Sequence, residues 1–198
     1  PSVTSTAPFD GQPIAELPQC SPDDVVTAAE RARAAQARWA RTGFGERAAV
    51  FLRFHDLVLE HRDTFMDLIQ WENGKARRDA FLEVADVANT ARYYARTAAR
   101  TLAPSRRTGL IPGLTEVHEL HHPRGVVTII SPWNYPLSLG VGDTIPALMA
   151  GNAVVQKADN QTALTALFAL DLARRAGLPD DLWQIVLGVR YGAMADTQ

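Results

Sequence analysis

The sequence predicts an α/β fold in which a helical N-terminal part packs on an incomplete parallel sheet. Three observations carry this expectation. Apolar residues at helical spacing run through 21–103. The stretch 123–162 reads as strand, helix, strand, with uncharged, β-branched runs at 126–130 and 153–156. A further helix and short apolar strand follow at 163–187. Consecutive strands joined through helices imply parallel pairing.

Residues 1–20 are irregular, with Pro8-Phe9-Asp10-Gly11 as a turn between short extended pieces. Ser21-Pro22-Asp23-Asp24 opens a helix: serine caps it, proline takes the first position and acids fill the first turn. Val25, Ala28, Ala32, Ala35 and Trp39 then recur in steps of three and four, which makes one buried stripe. After Gly43-Phe44-Gly45, one continuous helical stretch turns Phe51, Phe54, Val58, Phe65, Leu68 and Ile69 inward. Glu72-Asn73-Gly74-Lys75 ends it, as a turn with no chemistry of its own. A third helix carries Phe81, Val84, Ala88, Ala91, Ala95, Ala98 and Leu102. A basic loop at 104–113 and an extended segment at 115–121 lead to the first core strand.

That strand, 126–130, should be buried on both faces, and Pro132 stops it. Trp133-Asn134-Tyr135-Pro136 forms a turn, and Pro136 suits the first turn of the next helix. The helix ends near Gly151-Asn152, with the glycine in a left-handed cap. A second strand covers 153–156, and Lys157 leaves its carboxyl end, the edge at which open parallel sheets bind ligands. Residues 163–176 form a helix with Leu164, Leu167, Phe168 and Leu172 on one side, followed by a third strand at 183–187.

Composition removes several function classes. Hydrophobic residues make up 46% and charged residues 21% of the 198-residue chain, as in an ordinary globular domain. The net charge of -2 offers no footprint for nucleic acid or for an anionic membrane. No apolar run approaches the roughly eighteen residues of a membrane span. The N-terminus lacks the basic start and apolar core of a signal peptide. The single cysteine, Cys20, forbids an internal disulfide, so a cytoplasmic setting is expected.

The run PRGVV…SPWNYP…PALMAGNAVVQKADNQT is similar to the aldehyde dehydrogenase superfamily, and within it to the succinate-semialdehyde branch. The resemblance covers nearly the whole chain, but only the front part of the family's chain. It implies a partial cofactor-binding domain over 1–188 on a Rossmann-like sheet. Its parts are a helical part at 21–103, an extended segment at 115–122 and a strand–helix–strand core at 123–188. It also implies NAD or NADP as cofactor and oxidation of an aldehyde, such as succinic semialdehyde, to the acid. Residues 189–198 do not match the family's continuation and are expected to be a divergent tail, left by a truncation or a frame shift.

In the family the asparagine after the tryptophan donates to the alkoxide formed when a thiolate attacks the aldehyde. The resemblance therefore gives Asn134 the role of oxyanion donor. Its neighbourhood alone, between two prolines, would read as ordinary turn chemistry. The resemblance likewise places Ile130, Ser131, Pro132 and Trp133 along the nicotinamide side, although Trp133 alone would read as a core aromatic. Lys157, Ala158, Asp159 and Asn160 fall on the adenosine side, with Lys157 on the ribose. Asn160 stands where many NAD-preferring relatives carry a glutamate for the ribose 2′-hydroxyl. A neutral residue repels a 2′-phosphate less, so the choice between NAD and NADP stays open.

His118-Glu119-Leu120-His121-His122 formally matches the zinc-peptidase motif, whose chemistry requires a helix. Pro123 and the surrounding β-formers favour a strand, on which His118 and His122 stand roughly 13 Å apart, so no metal site is expected. Cys20 has no histidine near it in sequence and reads as a bystander. The family's general-base glutamate, nucleophilic cysteine and glycine-rich cofactor turn are not found, so the chain alone is expected to be inactive. Three strands leave a sheet edge for association, which implies a homo-oligomer or pairing with an intact relative. A non-catalytic fragment acting by such association is the competing reading.

Overall fold

The computed structural model describes residues 2–111 and 113–188; the expected divergent tail at 189–198 lies outside the described residues. Ahead of the first helix, the short extended pieces on either side of the expected Pro8–Gly11 turn are β1 (Ser2–Thr6) and β2 (Pro13–Pro18), and they pair as an antiparallel hairpin. Helix α1 (Pro22–Trp39) begins at the expected cap. The Ser21 hydroxyl accepts from the Asp24 N–H at 3.2 Å, and the Asp24 carboxylate accepts from the Ser21 N–H at 2.8 Å. Such a reciprocal cap contributes about 1 kcal/mol. Val25, Ala28, Ala32, Ala35 and Trp39 are all buried, as their spacing requires.

The second helical stretch is two helices, α2 (Phe44–Glu60) and α3 (Arg62–Asn73). His61, at φ -100° and ψ 21°, leaves helical geometry and turns the chain, so that Phe65 meets Phe168 with ring centroids 4.9 Å apart. Gly74 ends α3 in the left-handed region, at φ 72°. Helix α4 (Arg77–Thr101) packs on α2 and α5, and its buried residues are Ala80, Glu83, Val84, Val87, Ala88, Ala91 and Ala98. Phe81, expected inside, is half exposed. Val84, Ala88, Ala91 and Ala98 lie inside as expected, and the stripe also takes in a carboxylate, Glu83, at a core-facing position.

The basic loop also has structure. β3 (Ser105–Arg107) pairs antiparallel with β4 (Val117–Glu119), and Arg107 Nε donates to Glu119 at 2.7 Å. His118 lies in β4, with no helix at 118–122, so the geometry that a zinc peptidase needs is not formed. Among the described residues, no group of three or more His, Cys, Asp or Glu side chains could hold a metal ion.

The core is a parallel sheet in the order β5 (Val126–Ile130), β6 (Ala153–Lys157), β7 (Trp183–Val186). α5 (Ser138–Met149) and α6 (Ala163–Arg175) are its crossovers. Helix α1 lies against all three strands and α5 against β5 and β6, so β6 is buried from end to end. β5, expected to be covered on both faces, is only half buried because it is an edge strand. Pro136 precedes α5 and lies outside it, since the cap is Leu137.

Two glycines matter here. At Gly140, a Cβ would stand 2.7 Å from Gln156 Nε2 and 3.2 Å from Ser131 Cβ, so a larger residue would have to displace the Gln156 amide from its hydrogen bond to Ser131. Gly151, at φ 89°, turns the chain out of α5, and the Asn152 side chain then accepts from the Gly125 N–H at 3.0 Å. The final carbonyls of α5 receive Trp39 Nε1 on Leu148 at 2.8 Å and a guanidinium N–H of Arg47 on Met149 at 3.0 Å. A buried cation thus sits at the negative end of the helix dipole.

Candidate active site

The register aligns Ile130, Lys157 and Val186 as the last paired residues of their strands. The carboxyl rim they define carries two loops: 131–137 after β5 and 158–162 after β6. One more rung extends the ladder, because the Ser131 N–H donates to the Lys157 carbonyl at 3.1 Å. Ser131 turns inward. Its hydroxyl oxygen accepts from Gln156 Nε2 at 3.0 Å, and Gln156 Oε1 accepts from Trp183 Nε1 at 3.0 Å. This buried polar chain ties all three strands together just beneath the rim, with each side chain satisfied.

Past Ser131 the chain emerges. Ile130 is half exposed, Pro132 is half buried, and Trp133, Asn134 and Tyr135 are exposed. Trp133 is therefore not the core aromatic that its residue type alone suggests. The Asn134 side chain stands outside the apolar interior, while its backbone is held from below. Lys75 Nζ donates to the Asn134 carbonyl at 2.6 Å and lies 4.0 Å from the Tyr135 ring centroid. Asn73 Nδ2 donates to the Trp133 carbonyl at 3.3 Å.

Lys75 also pairs with Glu83, whose side chain is 1% exposed. The other Glu83 oxygen accepts from the Leu137 and Ser138 N–H groups, at 3.0 and 3.1 Å, which are among the first donors of α5. An anion at the amino end of α5 and Arg47 at its carboxyl end complement both poles of the dipole.

On the second loop, Lys157 is 6% exposed at the end of β6, between its two neighbouring strands. Ala158 is buried against Leu17, Ala163, Ala166 and Leu187. Asp159 accepts from the Gln161 N–H at 2.9 Å and so caps a short 3-10 turn, Asn160–Thr162. Asn160 Oδ1 accepts from the Gly188 N–H at 2.8 Å, which links this loop to the end of β7.

Glu72 fastens the same loop. Its carboxylate, fully buried, accepts from the Leu164 N–H at 2.6 Å and from the N–H and hydroxyl of Thr165 at 2.9 and 2.6 Å. It therefore caps α6, and desolvation pushes its pKa up to about 7 against the pull of those hydrogen bonds. Cys20 sits beside the carboxyl end of β7, where its N–H donates to the Leu187 carbonyl at 2.8 Å and its sulfur accepts from the Leu187 N–H at 3.5 Å.

The structure thus brings Asn134, Ile130, Trp133, Lys157 and Asn160 to one rim of the sheet. Ser131 and Ala158 serve as its foundation. Sequence reasoning missed Glu72, Lys75 and Glu83. A carboxylate inside the apolar stripe of α4 was the one available signal, because a buried charge demands a partner.

The sequence model of the aldehyde dehydrogenase family matches residues 1–195. A Mycolicibacterium smegmatis protein, provisionally named a succinate-semialdehyde dehydrogenase using NADP(+), is 49% identical over 180 residues. That match covers 91% of this chain and 35% of the relative. A Mycobacterium tuberculosis H37Rv protein of similar name is 47% identical over 188 residues, 95% of this chain and 36% of its own. A solved NAD-dependent benzaldehyde dehydrogenase from Corynebacterium glutamicum superposes with a TM-score of 0.88 at 35% identity, covering 96% of this chain and 41% of that one. An NADP-dependent glyceraldehyde-3-phosphate dehydrogenase from Bacillus halodurans, solved with NADP, gives 0.91 at 29% identity, covering 100% and 42%. The chain spans about a third of the length of these curated relatives.

Proposed function

The chain belongs to the aldehyde dehydrogenase family, and from that membership we propose that it supplies the oxyanion donor and part of the cofactor site of an NAD(P)-dependent aldehyde dehydrogenase. The observation that carries the reading is Asn134: an exposed amide on a turn whose backbone is clamped, at the carboxyl rim of a parallel sheet. The names of the two mycobacterial relatives support a semialdehyde as the substrate class.

The rim suits a dinucleotide in its donor set. Lys157 ends β6 with a side chain of the type that binds hydroxyl or phosphate oxygens, Asn160 on the following loop is neutral, and Ile130 and Trp133 present apolar surface for a nicotinamide ring. The bound nicotinamide supplies the hydride acceptor. The chain's own contribution is electrostatic. When a thiolate adds to the aldehyde carbon, the carbonyl oxygen becomes an alkoxide, and Asn134 Nδ2–H donates to it. The donor is pre-oriented by the turn, so little reorganisation accompanies the charge. Cys20 is committed to the end of β7, so the nucleophile is proposed to lie in sequence outside these residues.

Purified 1–198 is expected to show no reduction of NAD+ or NADP+ with succinic semialdehyde, whereas an enzyme containing these residues together with the nucleophile turns over. Absorbance of the reduced nicotinamide reads both, and turnover by 1–198 alone would overturn the placement of the nucleophile. In the active enzyme, Asn160→Glu places a carboxylate beside the adenosine ribose. It is expected to weaken NADP+ by about tenfold or more relative to NAD+, which isothermal titration measures.

No helix among the described residues is long and apolar enough to cross a membrane. A cytoplasmic, self-associating enzyme belongs to the same proposal. The outer edge of β5 and the half-exposed Ile130 favour association as a competing role for the fragment. Light scattering that found 1–198 monomeric would remove that second reading.

A further inference from the structure

Asn134 does not hold itself in place. Its side chain projects from a turn of four residues, and exposed turns of that length drift unless their backbone is tied down. Three ties reach this turn, and all come from the α3–α4 region. Asn73 Nδ2 holds the Trp133 carbonyl, Lys75 Nζ holds the Asn134 carbonyl, and Glu83 holds the Leu137 and Ser138 N–H groups. The contact between Lys75 and Glu83 joins the last two into one unit.

Each member of that unit is placed for the task. Glu83 is 1% exposed on the core face of α4, and Lys75 and the two backbone donors satisfy its carboxylate oxygens there. Lys75 follows the left-handed Gly74, which turns the chain so that Asn73 and Lys75 both reach the same turn. The Tyr135 ring covers the Lys75 ammonium at 4.0 Å and favours the cation in that position.

We propose that Lys75 and Glu83 are positioning residues for the oxyanion donor, fixing the backbone of 133–138 so that the Asn134 amide points at the reacting oxygen. The inference rests on the proposed reading of Asn134. Neither residue touches substrate. Their effect passes through the turn and appears where the donor is used, in the chemical step.

Two measurements test this, and they fail separately. On the 198-residue chain, hydrogen exchange followed by NMR reads the clamp without any turnover. Glu83→Gln is expected to speed exchange at the Leu137 and Ser138 amides by about tenfold or more, relative to amides in α1. Unchanged protection at those amides overturns the clamp.

In the active enzyme, Lys75→Met is expected to lower kcat on the order of 10²-fold, with the KM for dinucleotide nearly unchanged, because a misplacement of about 1 Å costs that much. Lys75→Arg restores a cationic donor and recovers most of the loss. In an Asn134→Ala background, Lys75→Met is expected to add little, since the group it positions is gone. A Lys75→Met enzyme with wild-type kcat, a loss confined to KM, no recovery by arginine, or full additivity with Asn134→Ala each overturns the proposal. Absence of turnover with every aldehyde overturns the functional reading instead, and the exchange measurement then decides the clamp by itself.

Discussion

Replacing Asn134 with alanine is expected to lower kcat for aldehyde oxidation by on the order of 10²–10³-fold, the loss of about 3–4 kcal/mol typical of a single oxyanion donor. The change should leave stability almost untouched. The side chain is exposed, and the turn is held through backbone carbonyls that alanine keeps. Unfolding midpoints and dinucleotide affinity should therefore match the parent while turnover falls. That split separates a donor used in the transition state from a residue that merely shapes the turn. Asn134→Asp sharpens the test. It preserves the size of the group but offers a negative oxygen to a developing alkoxide, so its kcat should fall at least as far as that of the alanine variant. Equal turnover in parent and alanine variant, at equal stability, would remove Asn134 from the reaction.

The parts of this molecule legible in the sequence are those whose causes are local. Ser21 and Asp24 stand three residues apart and make a reciprocal cap, so the start of α1 could be read directly. The apolar runs at β5 and β6, with a glycine-ended helix between them, could be read in the same way. What could not be read depends on partners far along the chain. Glu72 meets Leu164 and Thr165, Lys75 meets Asn134, and Glu83 meets Leu137 and Ser138. Within its own window, Glu72-Asn73-Gly74-Lys75 is only a helix ending in a left-handed glycine. In the fold it fastens both loops of the rim. On α4, the spacing correctly turns Val84, Ala88, Ala91 and Ala98 inward, but Phe81 is half exposed while Glu83, paired at long range, faces the core. The break at His61 has no glycine or proline to announce it, and packing of α3 toward α6 is what it serves.

Glu72 should also make the stability of this chain depend on pH in a direction opposite to that of a salt-bridged carboxylate. Burial raises its pKa from the usual 4.5 to about 7, because the desolvated anion costs more than its three hydrogen bonds return. In the unfolded chain the group ionises near its ordinary value. Between about pH 4.5 and 7 the folded chain therefore keeps a proton that the unfolded chain has lost. Unfolding becomes easier as pH rises through that window, whereas below it and above it the Glu72 contribution is level. The difference in pKa corresponds to about 3 kcal/mol across the window. Glu72→Gln keeps the shape of the side chain and one acceptor oxygen, enough for the Thr165 pair or for Leu164 but not for both. It carries no titrating proton, so it is less stable than the parent throughout while its pH dependence reports the lost titration. Denaturant midpoints at pH 5 and pH 8 should fall further in the parent than in this variant, by an amount of that order. The same titration reaches the candidate site, because Glu72 caps the helix that follows the 158–162 loop and its own carbonyl receives Gln161 Nε2 at 2.6 Å. Hydrogen exchange at Leu164 and Thr165 should consequently change between pH 6 and 8 in the parent, beyond the intrinsic effect of base, and not in Glu72→Gln. Identical pH profiles for the two proteins would show that the Glu72 carboxyl titrates in the fold as it does in water.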